Sequence, residues 1–350
     1  MNRLIRFLAD FYSPEDYPAL AAQMRQWEKS KPFAGVKILD ATPVFRNTMV
    51  KYAVLLAGGA DLYVSVGKDI PCDREILKKL PEFGIKINEG KIPAGKFDAV
   101  ADCAGRHAAV NSACGYVELT RSGLEYYREC QQPVFSVDSG ILKLFETKFG
   151  TGESFLRAMN HLGYHDFKGK KIVIFGGGKV GGGTAFYCAL AGAETFIIDR
   201  EQLIPPENVR LINSADKKAV CNALNNAWCI VSATGLPGVL AEYVPTIAAS
   251  HALIANMGVE NEFGETLPAE KILNNNQPLN FMLDEPTKIN YIDPSMALSN
   301  AGLLMILQKR LPAGINLPPE DLEMQIIETL RSAGKMDNEI NSVLKGYRSK

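Results

Sequence analysis

The 350-residue chain has no apolar run approaching the roughly 18 residues that a membrane-spanning helix needs. Its opening stretch, Met1 to Asp10, reaches an acid too soon to hold the apolar core of a secretory signal, so a cytoplasmic location is expected. With 38 basic against 39 acidic residues the formal net charge is −1, and no dense run of lysine or arginine appears. That removes the electrostatic footprint nucleic acid requires. The seven cysteines, at 72, 103, 114, 130, 188, 221 and 229, are odd in number and scattered without a Cys-x-x-Cys spacing, which argues against a disulfide framework. Only four histidines are present. His161 and His165 stand at a helical ligand spacing, but no third ligand is evident, so no metal is expected and a helix surface is the plainer reading. Repeats and low-complexity tracts are absent as well.

What remains is 47% apolar and 22% charged, the profile of a soluble globular protein with a large core and two or three domains. Its pattern has an α/β rhythm. A polar helix over residues 15–30 is followed by strands near 36–39, 62–66, 85–87, 97–101, 116–119 and 134–137. Helices are expected between them at 47–56, 73–80 and 124–130. An amphipathic helix from about Gly150 to Leu162 then leads to strands at 171–175, 195–198, 229–232, 253–256 and 280–283, with a helix over 219–225. A helix near 295–308 and two polar helices, 319–332 and 338–346, complete the chain. The expected fold is α/β, with two doubly wound Rossmann-like sheets joined by hinge helices and a helical C-terminal tail. Residues 1–150 would be a substrate domain and 151–290 a dinucleotide domain. Residues 291–350 would hold a return helix and the tail. Ligands of open α/β sheets sit at the carboxyl ends of the strands, so a substrate cleft between two such sheets is expected.

The stretch Lys171-Ile172-Val173-Ile174-Phe175-Gly176-Gly177-Gly178-Lys179-Val180-Gly181 organises this picture. A β-branched strand runs into Gly-x-Gly-x-x-Gly and then a helix, the context that makes the motif a dinucleotide grip. Gly176 permits the tight turn, Gly178 lets backbone approach a pyrophosphate, and Gly181 lets helix and strand pack closely. Lys179 and Val180 open the helix whose amides would meet the phosphates. Asp199 ends the next strand about twenty residues on, where an acid bonds the ribose hydroxyls. Its charge favours NAD over NADP, although Arg200 beside it is the residue type that accepts a 2′-phosphate.

Several segments together resemble S-adenosylhomocysteine hydrolase from about residue 35 to 305. They are Val137-Asp138-Ser139 through Phe149-Gly150-Thr151-Gly152-Glu153-Ser154, the glycine motif, Ser232-Ala233-Thr234-Gly235, Ala255-Asn256-Met257-Gly258, and Pro294-Ser295-Met296 through Asn300. The resemblance implies NAD contacts at Thr120, Ser122, Thr147, Gly181, Asp199, Thr234, Asn256 and Asn290, with Gly235 and Gly258 flanking them. It also implies a mechanism in which bound NAD⁺ oxidises a ribose hydroxyl, an acidified C–H is lost, the thioether leaves, water adds and the hydride returns. The sequence departs from that family where histidines and a carboxylate are implied. Those positions carry Pro43 or Val44, Leu119 and Val259, and a further histidine is replaced by Asp293.

The catalytic candidates that survive are Asp102, Lys143, Glu146 and Asp293. Asp102 ends a strand and matches a family carboxylate, with a helix cap as its alternative. Lys143 and Glu146, at i and i+3, replace a lysine–acid pair or form a surface ion pair. His107, five residues beyond Asp102, is either a substitute proton carrier or a histidine that is solvent-exposed or satisfied in the core. The ending Lys345-Gly346-Tyr347-Arg348-Ser349-Lys350 echoes a family tail that completes a neighbour's NAD site, or is a solvated basic end. A homo-oligomer, dimer or tetramer, follows from the first alternative. Three functions are open: an NAD-dependent oxidation of a secondary alcohol on some small substrate, true S-adenosylhomocysteine hydrolysis, and a non-catalytic NAD-binding regulator.

Overall fold

Short runs of β-branched and apolar residues alternate with helices, and among the described residues the strands they form pair in parallel. The computed structural model describes residues 2–67, 72–90 and 95–348, without the side chains of Asn2, Tyr347 and Arg348. In chain order it shows α1 (Asn2–Ala9), α2 (Pro18–Ser30), β1 (Lys37–Asp40), α3 (Thr48–Ala57), β2 (Asp61–Val66), α4 (Arg74–Lys79), β3 (Lys86–Glu89), β4 (Lys96–Phe97), β5 (Ala99–Asp102), β6 (Asn111–Ser112), β7 (Tyr116–Glu118) and β8 (Pro133–Ser136). There follow α5 (Thr151–His161), β9 (Lys171–Phe175), α6 (Lys179–Leu190), β10 (Glu194–Asp199), β11 (Val209–Asn213), α7 (Lys217–Leu224), β12 (Cys229–Ser232), α8 (Val244–Ala248) and β13 (Leu253–Asn256). The last elements are α9 (Ile289–Leu307), β14 (Gly314–Asn316), α10 (Glu320–Ala333) and α11 (Asp337–Arg348). The chain divides into two units, one running to Phe145 and resuming at Ile289, the other Glu146–Lys288. All seven cysteines are free.

The first unit holds a seven-stranded sheet in the order β14-β8-β7-β5-β1-β2-β3. Strands run outward from β1 in both directions, so the topological switch point lies between β1 and β5, whose register pairs Asp40 with Ala101. One face packs on α3 and α9. The other buries Leu39, Val100, Tyr116, Tyr127 and Val134. Two pieces differ from the sequence reading. Residues 124–130 do not form an α-helix; a 3-10 turn over Ser122–Tyr127 stands there. The edge strand β14, three residues between Pro312 and Pro318, is too short for period-two patterning to reveal.

The second unit holds a five-stranded sheet in the order β11-β10-β9-β12-β13. Counted along the chain that is 3-2-1-4-5, the order of a dinucleotide-binding sheet. Strands β9 and β12 lie inside it and are buried nearly throughout, which is why they read as unbroken apolar runs. The segment expected as a strand at 280–283 is a 3-10 turn over Leu279–Met282 instead. Pro278 opens it without an N–H, and Leu279, Met282 and Leu283 pack with Phe155 and Met159 of α5 rather than pairing with β13.

Asp293 is fully buried within α9 and caps another helix. Its oxygens accept the N–H groups of Ala19 and Leu20 at 2.9 and 2.8 Å. Helix α2 begins Tyr17-Pro18 and has no side-chain cap of its own, so the acid arrives from 274 residues away and meets the positive end of the helix. Burial pushes its carboxyl up to about 7, against the pull of the two N–H bonds. Burial likewise pushes Glu285 of the other unit up to about 7. A carboxyl whose pKa is higher folded than unfolded binds protons in the folded state that the unfolded chain has released. The resulting stabilisation is complete below about pH 4 and is lost as pH rises through 7, a change on the order of 4 kcal/mol for the full Asp293 shift. Thermal melts between pH 5 and 8 are therefore expected to fall with rising pH, and less steeply in Asp293→Asn. A parent whose melting temperature climbs over that range contradicts this assignment.

Candidate functional site

The glycine loop of the second unit is shaped by backbone contacts no larger residue allows. Gly176 has φ +94°, and a Cβ there would lie 2.5 Å from the Ala233 carbonyl oxygen. A Cβ on Gly181 would sit 1.9 Å from the Gly176 carbonyl oxygen. Gly178 is different: its φ is −65°, and a Cβ would meet nothing within 4 Å. It stands at the N-cap of α6 with no side-chain cap, so the first amides of that helix are left to solvent or a ligand. An open berth before an uncapped helix start suits a pyrophosphate.

Asp199 ends β10 beside this loop. Its Oδ2 accepts the Gly177 N–H at 2.6 Å and its Oδ1 the Glu201 N–H at 2.9 Å. Each oxygen keeps lone-pair capacity for a ribose hydroxyl. A cavity of about 360 Å³ opens here, lined among others by Gly176, Gly178, Asp199, Thr234, Leu236 and Tyr243. Arg200 and Lys217 also line it, but Arg200 faces Glu201 at 3.4 Å and Lys217 pairs with Glu242. With its nearby cations matched by glutamates and Asp199 at its wall, the cavity favours a free 2′-hydroxyl over a 2′-phosphate. A larger hollow of about 750 Å³, lined by Lys170, Asn226, Trp228 and His251 among others, lies where β9, β12 and β13 begin, the end opposite the glycine loop.

The loops after β12 and β13 are held by Glu262, which the sequence reading did not single out. This fully buried carboxylate accepts the Thr234 N–H at 2.9 Å, the Thr234 hydroxyl at 2.7 Å and the Gly235 N–H at 2.8 Å. Gly258 has no room for a Cβ, which would fall 2.8 Å from Glu262 Oε1. Asn256 is buried: its Oδ1 accepts from Ser232 Oγ and the Gly258 N–H, and its Nδ2 donates to Glu260 and Asn276. Asn274, Asn275 and Asn276 follow one another in the left-handed region, φ 56°, 49° and 63°, which asparagine tolerates better than other side chains. Thr234, Gly235, Asn256 and Gly258 are thus brought together as one hydrogen-bonded rim of the sheet.

In the first unit Asp102 lies at the carboxyl end of β5 and accepts the N–H groups of Cys103 and His107 and the Tyr127 hydroxyl, the last at 2.6 Å. Its neighbour across the register is Glu118. The Glu118 carboxylate accepts from the Ala104 and Gly105 amides and from the Thr120 N–H and hydroxyl. Burial, more than the adjacent Asp102, raises the pKa of Glu118. The loop after β5 is therefore tied down by two acids on adjacent strands, and the polar groups of Thr120 are engaged in the same network. Ser122 is exposed at the start of the 3-10 turn. Lys143 is buried in this unit and Asn290 half-buried in the first turn of α9. Glu146 and Thr147 lie in the π-helical turn Phe145–Gly150, with Glu146 the first residue of the other unit. Lys345 is on α11, while the side chains of Tyr347 and Arg348 and residues 349–350 lie outside the described residues.

An NAD(P)-binding family model matches residues 164–269. The adenosylhomocysteinase of Thermoplasma acidophilum is 22% identical over 282 residues, 72% of this chain and 68% of that protein. That of Sulfurisphaera tokodaii is 26% identical over 272 residues, 69% and 64%. The S-inosyl-L-homocysteine hydrolase of Methanocaldococcus jannaschii is 24% identical over 221 residues, 54% of this chain and 52% of that protein. Among solved structures, a dipicolinate synthase chain from Bacillus halodurans gives a TM-score of 0.48 at 12% identity, covering 74% of this chain and 95% of that one. No helix of the described residues is long and apolar enough to cross a membrane.

Proposed function

We propose that this divergent relative of the adenosylhomocysteinases, an NAD-binding protein, uses its cofactor to oxidise a secondary alcohol on a nucleoside-like or other small substrate, within a catalytic cycle or as the net reaction. Bound NAD supplies a hydride acceptor. Gly176, Gly178 and the start of α6 would hold its pyrophosphate, Asp199 its adenosine ribose, and the Thr234–Gly235 and Asn256–Gly258 loops the remainder. Asp102, Lys143 and Glu146 are the residues proposed to carry protons. Asp293 is left out, since both its oxygens already serve the α2 terminus. The reading rests on a contrast: the berth at Gly178 fits the cofactor, whereas Pro43 or Val44, Leu119 and Val259 stand where the resemblance implies proton carriers.

That contrast weighs against unchanged hydrolysis of S-adenosylhomocysteine. Each general acid or base is worth roughly 10²–10⁴ in rate, and several would have to be replaced at once. Protein purified with NAD bound is expected to gain absorbance near 340 nm when the right alcohol is added. Release of a homocysteine thiol would instead favour hydrolysis, and retained NAD with neither signal a regulator. Asp199→Ala is expected to keep the fold and weaken NAD binding by roughly 10- to 100-fold, the worth of charge-assisted hydrogen bonds to two hydroxyls. Unchanged affinity in a titration would sink the ribose assignment.

A further inference from the structure

Ser65, His107 and Asp102 lie in one line at the carboxyl ends of β2 and β5, the strands that flank β1. His107 Nδ1 is 3.1 Å from Asp102 Oδ1, and His107 Nε2 is 2.9 Å from Ser65 Oγ. All three are buried, at 5%, 1% and 4% exposure for His107, Asp102 and Ser65. Chemistry fixes the protons. Asp102 already accepts from the Cys103 and His107 amides and the Tyr127 hydroxyl, so a carboxylate faces Nδ1 and that nitrogen carries the imidazole hydrogen. Nε2 then presents its lone pair, and the Ser65 hydroxyl donates to it. From the other side Asn88 Nδ2 donates to Ser65 Oγ at 3.2 Å, leaving the serine hydrogen directed at the imidazole. The order carboxylate, imidazole, hydroxyl is the one in which a base takes the proton of an attacking oxygen. Gly67 follows two residues on, and a Cβ there would meet Arg106 Nη1 at 2.8 Å, so the missing side chain lets a guanidinium lie against the backbone at that position.

We propose that Ser65 is an activated nucleophile toward small acyl esters or thioesters. His107 is its general base and Asp102 the residue that positions the imidazole. Oγ bonds the acyl carbon as its proton passes to Nε2; the carbonyl–leaving-group bond breaks and the leaving group departs with that proton. Water then attacks the acyl-serine, giving its proton through His107 back to Oγ and releasing the acid. The NAD reading shares Asp102 but does not involve Ser65, so Ser65 carries the test. Full-length protein is treated with a fluorophosphonate probe, in which P–O forms, P–F breaks and fluoride leaves. Intact mass and peptide mapping are expected to show one adduct per chain, on Ser65. Ser65→Ala should melt and bind NAD like the parent and take up no probe, and His107→Gln should be labelled at least about 100-fold more slowly. Should His107→Gln fail to fold, urea-unfolded parent replaces it, and that sample is expected to remain unlabelled because the line exists only in the folded sheet. An unlabelled parent, an adduct that persists in Ser65→Ala, or labelling indifferent to His107→Gln or to unfolding overturns the proposal and leaves the NAD reading untouched.

Discussion

Gly178→Ala is expected to leave the thermal melt within about 2 °C of the parent while weakening NAD binding by roughly 10- to 100-fold. The prediction follows from two observations that point in opposite directions. The residue has φ −65°, which alanine adopts without strain, and a Cβ there touches nothing within 4 Å. Folding has no cause to suffer. The same empty space is where a pyrophosphate would lie against the α6 amides, and a methyl group in a close-packed site costs about 1–3 kcal/mol. Three residues on, Gly181→Ala is expected to do the reverse in its order of events. Its Cβ would sit 1.9 Å from the Gly176 carbonyl oxygen, so strand and helix must separate before anything binds. A loss of about 4 kcal/mol, or some 10 °C in the melting of a unit this size, is the expected scale. Calorimetric melts and NAD titrations of both variants decide it. If Gly178→Ala binds NAD as well as the parent, the cofactor does not rest on this loop.

The glycine loop and Asp199 were legible in the sequence because everything that defines them is local: a strand, a turn needing glycine, a helix start and one acid at the end of the next strand. The sheet of the second unit could be read for the same reason, since central strands such as β9 and β12 announce themselves as unbroken apolar runs. What escaped depends on pairing across the sheet. Glu118 becomes a partner of Asp102 only because β5 and β7 pair in a register that sets them side by side. Glu262 reaches Thr234 and Gly235 across 28 and 27 residues, and no spacing rule connects those positions. Asp293 is the sharpest case. Standing where the resemblance implies a histidine, it invites a catalytic reading, yet its two bonds go to a helix start 274 and 273 residues away. His107 is buried and lies within hydrogen-bond reach of Asp102 and Ser65, and the second of these contacts spans 42 residues that no spacing rule connects. Local pattern therefore placed the glycine loop between its strand and helix, whereas the contacts of the buried acids follow from the topology.

Lys51→Met is expected to destabilise the first unit by about 3–5 kcal/mol, a large part of the 5–15 kcal/mol that holds a typical domain folded. Asp40 and Lys51 form an ion pair with both side chains wholly shielded from solvent. Lys51 Nζ also donates to the Thr42 hydroxyl, and Asp40 Oδ1 accepts the Thr42 N–H. The lysine belongs to α3, so this small network fixes that helix to the carboxyl end of β1, next to the switch point. Removing the ammonium alone strands a carboxylate in the interior with one amide as company, and desolvation of that charge is the cost. Removing both charges is a different operation. Asp40→Leu with Lys51→Met deletes the Coulomb attraction together with the two desolvation penalties, and apolar replacements of a buried pair are often neutral or better. The double variant is expected to regain most of the stability lost by the single one, read as the urea midpoint at unchanged slope. Were the double variant no more stable than Lys51→Met, the network would owe its value to the contacts of Thr42 and the backbone rather than to paired charge. Were Lys51→Met itself as stable as the parent, the helix would be held to β1 by its apolar side chains alone. In that event the pair would be retained at the ligand end of the sheet for a reason other than stability.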